Sequence, residues 1–340
     1  MTNADIECIA GAVYGGAENG HVMGDTKLTL KNGLIGHSMY GGGSGKGTFT
    51  TTLNKITGVT VKTDKAPTST VTPPTQTETT YDAEIYSITA GKVFGNTNVV
   101  MNGGYVVRNV YGGGNLGSVG KGNYAGGTDD YSYYNNGARS GYGETLNGNL
   151  WDESSDPSKA FMNSGVSNVT INGGTVGYID FDNVSDYTYS GLPYGNVFGG
   201  CRGESAPNIG ESPRYLYSPT FFSGYVNETN VTIGAANSSE GPKIWGSVYG
   251  GGMDGHVRRD ATVTINSGEI GRAYDGDGSA DDLAKIEWSQ CGNVYGAGSG
   301  TDKYYSTGTE LHDGNGDTYN SKAGIVQGNA IVHISAGNIV

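Results

Sequence analysis

The sequence predicts an all-β fold: a parallel β-helix or closely related β-solenoid of about six coils, in one domain over residues 1–340. Two short motifs that alternate along the chain, and the constant spacing between them, lead to this prediction. The first motif reads V-Y-G-G or a close variant. The second is a strand of alternating character closed by a glycine turn. Each pair of motifs is therefore expected to form one coil that stacks on the next.

The first motif carries an aromatic residue directly before its glycines. Tyr and Phe exchange at this position, so the hydroxyl group is dispensable, and a stack of rings from coil to coil is expected rather than a catalytic tyrosine. The residues of this structural ladder are Tyr14, Tyr40, Tyr111, Phe198, Tyr249 and Tyr295.

The second motif has the period of a β-strand. In the copy VTINGGTVG, Val169 and Ile171 point to one side and Thr170 points to the other. The unit from Val13 to Gly36 aligns without a gap with the unit from Val248 to Gly271, which predicts a coil of about two dozen residues. The outward threonine row is expected from β-propensity on a solvated side, and not from an ice-binding face.

The composition favours a thin repeat fold with large insertions. Gly accounts for 61 of the 340 residues and Pro for only 9, so the glycines are expected at tight corners rather than in a disordered tract. Apolar residues make up 35%, which suits a narrow core with one inward row per strand. Insertions are predicted at roughly 62–92, 120–165, 202–226, 272–290 and 299–328.

One glycine-rich run, MYGGGSGKGT, has part of the pattern of a phosphate-binding loop. Gly47 follows Lys46, so the Ser or Thr that would hold magnesium in such a loop is missing. The residues after Thr48 also lack the apolar period of a helix. The run therefore belongs to the repeat, and a nucleotide-binding loop is rejected.

Two predicted insertions are rich in aromatic residues. Rigid amphipathic rings suit stacking on sugars or contact with a protein, while the alternative is that they only hold the loops against the solenoid. The candidate binding residues are Tyr131, Tyr133, Tyr134, Tyr142, Tyr215, Tyr217, Phe221 and Phe222.

Two acidic insertions, DGDGSADD and DGNGD, alternate oxygen-bearing side chains with small residues. Calcium prefers six to eight hard oxygen ligands, and this spacing lets them converge, although Gly278 and Gly316 lie at the fourth position rather than the sixth of an EF-hand. A structural calcium ion is the only cofactor predicted, and a solvated acidic turn is the alternative. The candidate ligands are Asp275, Asp277, Ser279, Asp281, Asp313, Asn315 and Asp317.

Charge and cysteine content narrow the class of partners. The net charge of −13 argues against binding nucleic acid, and the sequence contains no apolar run long enough to span a membrane. The three cysteines, Cys8, Cys201 and Cys291, lack the spacing of a metal site. Two arrangements are left open: one disulfide with a free thiol, or a disulfide between subunits.

The two ends of the sequence match the repeat. The last residues, AIVHISAGNIV, resemble the strand that elsewhere leads into the first motif, and the first copy of that motif begins at Gly11. Neither end has the polar residues of a cap. We therefore expect either head-to-tail stacking of copies into a filament, because such a contact does not close, or flanking repeats in a longer polypeptide.

The alternation of NVYGGG with VTINGGTVG resembles the glycine-rich repeats of large secreted, adhesin-like surface proteins of Bacteroidota. The resemblance covers the chain outside the insertions. It implies export to the cell surface or medium and a scaffold or adhesive role, with contact to carbohydrate or a host surface. It supplies no catalytic residues, and the start of the sequence departs from it by lacking the pattern of a signal peptide.

The predicted function is that of a non-enzymatic extracellular structural or adhesive protein. The alternative is a glycan-binding or polysaccharide-cleaving β-helix, including a receptor binder like a phage tailspike. A cleaving enzyme would place carboxylates, or Asp with Arg, on adjacent coils. Arg258, Arg259 and Asp260 offer these groups, but Asp25 matches Asp260 in the first unit without the arginines.

Overall fold

The computed structural model describes residues 8–9, 11–57, 77–86, 90–120, 164–177, 195–203, 224–238, 240–271, 292–300, 303–305, 317–319 and 324–339. These residues form strands and turns and no helix. The prediction of an all-β parallel solenoid of about six coils is confirmed.

The strands are short, and most of them contain two residues or five to six. In chain order they are β1 (Cys8–Ile9), β2 (Val13–Tyr14), β3 (Thr26–Leu30), β4 (Leu34–Ile35), β5 (Met39–Tyr40), β6 (Thr48–Thr57), β7 (Thr77–Tyr86), β8 (Thr97–Met101), β9 (Tyr105–Val106), β10 (Val110–Tyr111), β11 (Val166–Ile171), β12 (Thr175–Val176), β13 (Val197–Phe198), β14 (Tyr225–Val226), β15 (Glu228–Ile233), β16 (Lys243–Ile244), β17 (Val248–Tyr249), β18 (His256–Val257), β19 (Ala261–Ile265), β20 (Glu269–Ile270), β21 (Val294–Tyr295), β22 (Lys303–Tyr305), β23 (Asp317–Tyr319), β24 (Ala330–Ile334) and β25 (Asn338–Ile339).

Three parallel sheets run along the solenoid, and each coil adds one strand to each of them. Sheet 1 holds the first-motif strands β2, β5, β10, β13, β17 and β21. Sheet 2 holds the long strands β3, β8, β11, β15, β19 and β24. Sheet 3 holds the two-residue strands that follow the glycine turn, which are β1, β4, β9, β12, β16, β20 and β25. Sheet 3 therefore has one strand more than the other two.

The core is a column of aliphatic side chains between the three sheets. Burial alternates along the long strands: in β11, Ser167, Val169 and Ile171 are buried and the residues between them are partly exposed. Because the strands are in parallel register, like side chains lie above one another. One such row contains the buried residues Val99, Val169, Val231 and Val263. Full burial of an aliphatic side chain stabilises the fold by about 1.5–3 kcal/mol.

A second, smaller cluster lies on a fourth row, made by Val22, Val93, Val119, Val226, Val257 and Val326. Cys201 is buried in this cluster as a free thiol, and its Sγ accepts the N–H of Gly114 at 3.2 Å. Burial raises the pKa of Cys201 to about 12. The thiol is therefore protonated at neutral pH and contributes to packing.

The glycines fall into two groups with different physical reasons. Gly174, in the turn after a long strand, has φ 86°, a conformation that side chains with a Cβ rarely adopt. Gly112, in the first motif, is needed because a Cβ there would collide with the carbonyl oxygen of Gly199 and the hydroxyl of Ser167. The expectation of tight corners describes the first group. The first-motif glycines are required by the close approach of adjacent coils.

Two antiparallel hairpins depart from the coil pattern. Strand β6 pairs with β7, and β22 pairs with β23. Most of the residues that connect β6 to β7, and all of those that connect β22 to β23, belong to predicted insertions. Both hairpins follow the first motif of their coil, in the second and sixth coils.

Candidate functional site

The aromatic residues of the first motif form one continuous stack. Successive ring centroids lie 4.7–4.9 Å apart, and neighbouring ring planes are within 14° of parallel. This distance matches the spacing of about 4.8 Å between hydrogen-bonded strands. Ring stacking and strand pairing therefore favour the same separation between coils.

The middle of the stack is closed to solvent. Burial raises the pKa of Tyr40 to about 12, and it raises the pKa of Tyr111 as well. The hydroxyl of Tyr111 accepts a hydrogen bond from Nδ2 of Asn109 at 3.1 Å and donates to Sδ of Met253 at 3.4 Å. These phenols stay protonated at physiological pH and act as packing groups with satisfied hydroxyls.

The sixth coil exposes the rows that the inner coils bury. Tyr295 is 42% exposed, Val332 39%, Ile334 54% and Ile339 42%. We call these four residues the C-terminal end face. One coil earlier, the residues of the three aliphatic rows are fully buried and Tyr249 is only 7% exposed. The C-terminal end face is thus a cross-section through the core.

The backbone of sheet 1 is also unpaired on this side within the described chain. In the fifth coil the N–H groups of Val248 and Gly250 donate to carbonyl oxygens of the sixth coil, at 2.9 and 2.8 Å. Val294 and Gly296 hold the equivalent positions in the sixth coil, and their N–H groups point to the open side. The arrangement can accept one further parallel strand.

At the other end, Tyr14, Leu28 and Leu30 of the first coil begin the rows that end at Tyr295, Val332 and Ile334. Val13 begins the row of Val294, and Ile339 belongs to the row of Ile35. Val13, Leu28 and Leu30 are partly buried and pack on the core, and Tyr14 begins the ring stack. We call these four residues the N-terminal end face. In sheet 1, the carbonyl oxygens of Ser38 and Tyr40 in the second coil accept the N–H groups of Val13 and Gly15 in the first coil. The equivalent carbonyl oxygens of the first coil are those of Ala12 and Tyr14, and they face outward. Donors at one end therefore match acceptors at the other.

Side chains also bridge adjacent coils just before the long strands. Oδ1 of Asp25 accepts the N–H of Asn96 at 2.8 Å, and Oδ1 of Asp260 accepts the N–H of Asn329 at 2.7 Å. Asn329 holds the same position in the sixth coil. Asp260, a candidate carboxylate of the enzyme alternative, therefore has the same structural contact as its counterpart in the first coil.

His21 and His256 hold equivalent positions in the first and fifth repeat units, but their surroundings differ. His256 is buried and lies against Tyr225, with ring centroids 5.0 Å apart, whereas His21 is exposed and contacts the edge of Phe94. The coil positions between them are taken by other residue types.

A histidine that sequence reasoning did not single out has a defined polar contact. Nε2 of His37 lies 2.7 Å from Nη1 of Arg108, so the ring must be neutral and accept at this nitrogen. Burial lowers the pKa of His37, and the charges of Arg108 and Arg202 lower it further. No short motif surrounds His37, so only the structure reveals this pair.

Almost all of the predicted binding and metal residues lie outside the residues that the structure describes. All eight aromatic binding candidates lie outside the described residues, as do all calcium candidates except Asp317, whose backbone lies in β23. Within the described ranges no group of three or more His, Cys, Asp or Glu residues is arranged to hold a metal ion. The site built by the described residues is the pair of end faces.

No protein-family model matches the chain, and no curated protein or solved structure is similar enough to count as a match. Among the described residues, no helix is long and apolar enough to cross a membrane.

Proposed function

We propose that the protein is a non-enzymatic structural or adhesive protein that acts outside the cell, and that its solenoid is extended by a further coil on the C-terminal end face. The occupant is the N-terminal end face of a second copy, which gives a head-to-tail filament. A continuation of the array in a longer chain would use the same contact. The exposure of Tyr295, Val332, Ile334 and Ile339 at the sixth coil carries this proposal.

The contact inside the molecule supports this choice of occupant. Each coil already stacks on its neighbour through the same rows, and this interface repeats from the first coil to the sixth. Leu28 of a second copy would continue the row that ends at Val332, and Leu30 would continue the row that ends at Ile334. Tyr14 would become the seventh ring of the stack.

The free energies gained and lost on stacking indicate that assembly depends on protein concentration. The four residues of the C-terminal end face are 39–54% exposed, and burying the exposed part of each contributes about 1 kcal/mol, or about 4 kcal/mol for this face. The four residues of the N-terminal end face are less exposed and contribute less than this. Backbone hydrogen bonds add about 1 kcal/mol each. Loss of translational and rotational freedom costs about 4–15 kcal/mol. The surplus is small, and a single charged residue in a core row is expected to remove it.

The test is electron microscopy and sedimentation of the purified protein over a range of concentrations. We expect uniform fibres that appear above a critical concentration. Ile334→Asp is expected to abolish them, because it places a charge in a row that the contact would bury. Since Ile334 is already 54% exposed, the variant should keep the unfolding midpoint of the original protein.

Thr170→Asp is the matched control, since it introduces the same charge on the outer side of β11, away from both end faces. It is expected to form fibres as the original protein does. Monomers at every concentration, or equal fibre formation by Ile334→Asp, would contradict the proposal.

A further inference from the structure

The two end faces are not flush, because sheet 3 contains seven strands and sheets 1 and 2 contain six. The additional strand is β1, which pairs with β4 in the register Cys8 to Leu34 and Ile9 to Ile35. At the other end, β25 pairs with β20 in the equivalent register, Asn338 to Glu269 and Ile270 to Ile339. Strand β1 therefore stands one coil before the first strands of the other sheets.

Head-to-tail stacking brings these two strands into conflict. If the first coil of one copy lies directly on the sixth coil of another, the position next to β4 is required by β25 of the neighbouring copy. The same position is already held by the copy's own β1. Both strands cannot occupy it.

We infer that β25 of a second copy replaces β1 as the partner of β4 when two copies stack. This inference rests on the proposed head-to-tail function. Asn338 of one copy then pairs with Leu34 of the next, and Ile339 pairs with Ile35. Strand β1 covers the edge of β4 in the single molecule and leaves it on assembly.

The support that each strand receives decides which one leaves. Strand β25 belongs to a complete coil, with β21 and β24 as its partners in the other sheets, and the N–H of Asn338 donates to the carbonyl oxygen of Gly268 at 2.8 Å. Among the described residues, β1 has no companion strand from its own coil in sheet 1 or sheet 2. Both β1 and β25 pair along one edge only, but β25 is also supported by the other two strands of its coil, so displacing β1 costs less than displacing β25.

The replacement also satisfies groups that would otherwise stay exposed. In sheet 3 the carbonyl oxygens of one coil accept N–H groups of the next, as Gly104 does from Thr175 at 2.9 Å. The carbonyl oxygens of Gly337 and Ile339 hold these positions in the sixth coil. The N–H groups of a second copy's β4 would meet them in the established register.

The axial repeat of the fibre distinguishes the two arrangements. Replacement of β1 adds six coils per copy, which gives a repeat of about 29 Å at a strand spacing of about 4.8 Å. If β1 stayed in place and stacked on β25, each copy would add seven coil spacings, about 34 Å. Fibre diffraction or averaged micrographs measure this repeat, and a value near 34 Å would overturn the inference while leaving the filament in place.

Cross-linking tests the register directly. In a background with Cys8→Ser and Cys291→Ser, Leu34→Cys and Asn338→Cys are expected to form disulfide-linked multimers on oxidation, because paired strands bring their Cα atoms within the range that a disulfide needs. Asn338→Cys alone, with Cys8 retained, reports the other arrangement, since these two residues would pair if β1 stayed. Links to Cys8 in the fibres would overturn the inference.

A reversible block gives an independent measurement in the full chain. Leu34→Cys with Cys8 retained places a cysteine opposite Cys8 in the register of β1 and β4, so oxidation should tie the two strands together. We expect the oxidised protein to stay monomeric and to form fibres after reduction. Equal fibre formation in both states would overturn the inference. Absence of fibres in the original protein would instead remove the proposed function on which it rests.

Discussion

At the scale of single residues, the first-motif glycines show how closely the coils approach. Gly112 does not need a special backbone, yet a Cβ on it would collide with Gly199 and Ser167 of neighbouring strands. Backbone atoms on both sides leave little room for relaxation. Absence of a side chain is therefore the property for which this position is selected.

We predict that Gly112→Ala lowers the free energy of unfolding by about 1–3 kcal/mol or more, the range for an overpacked interior. Chemical denaturation followed by circular dichroism measures the loss. Gly24→Ala is the matched control, because a Cβ at Gly24 meets no atom within 4 Å. A similar loss in both variants would mean that glycine acts through backbone freedom and not through coil approach.

The pair of His37 and Arg108 predicts a dependence of stability on pH. The folded protein holds His37 neutral with a lowered pKa, whereas the ring in the unfolded chain titrates near pH 6.5. The unfolded chain therefore binds the proton first as the pH falls, and stability decreases from about pH 7 toward the folded pKa. The contribution is fully present above about pH 7.

Urea unfolding at pH 7.5 and pH 5.5 measures this effect. His37→Gln is expected to reduce the loss between these two values, because its amide oxygen can accept from Arg108 at either pH. His333→Gln is the control, since His333 is exposed on the last long strand. The prediction is contradicted if His37→Gln loses as much stability on acidification as the original protein.

At the scale of elements, hydroxyl groups connect the long strands to sheet 1 across the core. Oγ1 of Thr229 donates to the carbonyl oxygen of Gly250 in the next coil at 2.7 Å, and Thr26 and Ser167 make equivalent bonds. Thr97 holds the same position, but its buried hydroxyl finds no partner among the described residues. The same residue type thus occurs with and without its hydrogen bond.

We predict opposite results for Thr229→Val and Thr97→Val, which remove a hydroxyl without changing shape. Thr229→Val leaves a buried carbonyl without its donor and should lower the free energy of unfolding by about 1–3 kcal/mol. Thr97→Val removes a group that is already unsatisfied and should be neutral or stabilising. Thermal unfolding of the two variants measures the difference, and equal losses would contradict the hydrogen-bond explanation.

The sequence predicted those elements whose residues repeat with a regular period. The alternation in VTINGGTVG predicted the inward and outward sides of β11, and the exchange of Tyr with Phe predicted parallel rings at one coil position. It did not predict β1, because a strand of two residues has no period to detect. The spacing along the chain does indicate β1, because Ile9 lies four residues before Val13, just as Ile35 lies four residues before Met39.

At the scale of the whole molecule, the sequence predicted matching ends but not their overlap by one strand. Overlap depends on which coil each two-residue strand joins, and this is a property of the assembled sheets. The exposed fractions at the C-terminal end face likewise depend on the depth of the core, which single residues do not encode.

The net charge of −13 sets the conditions under which copies approach each other. At about 10 mM salt the Debye length is about 30 Å, so two copies repel over distances comparable to the length of the solenoid. At about 150 mM it falls to about 8 Å, and only charges near the contact still act. Since the end faces are mainly apolar, screening removes repulsion without weakening the contact.

We therefore predict that the critical concentration for fibre formation falls as sodium chloride rises from about 10 to 150 mM, measured by sedimentation at fixed temperature.

Calcium chloride and magnesium chloride at equal ionic strength distinguish charge screening from binding at the predicted calcium sites. If the acidic insertions bind calcium, calcium should lower the critical concentration more than magnesium, and a chelator should lower the melting temperature. A critical concentration that rises with salt would mean that ion pairs, rather than apolar contacts between the end faces, hold the copies together.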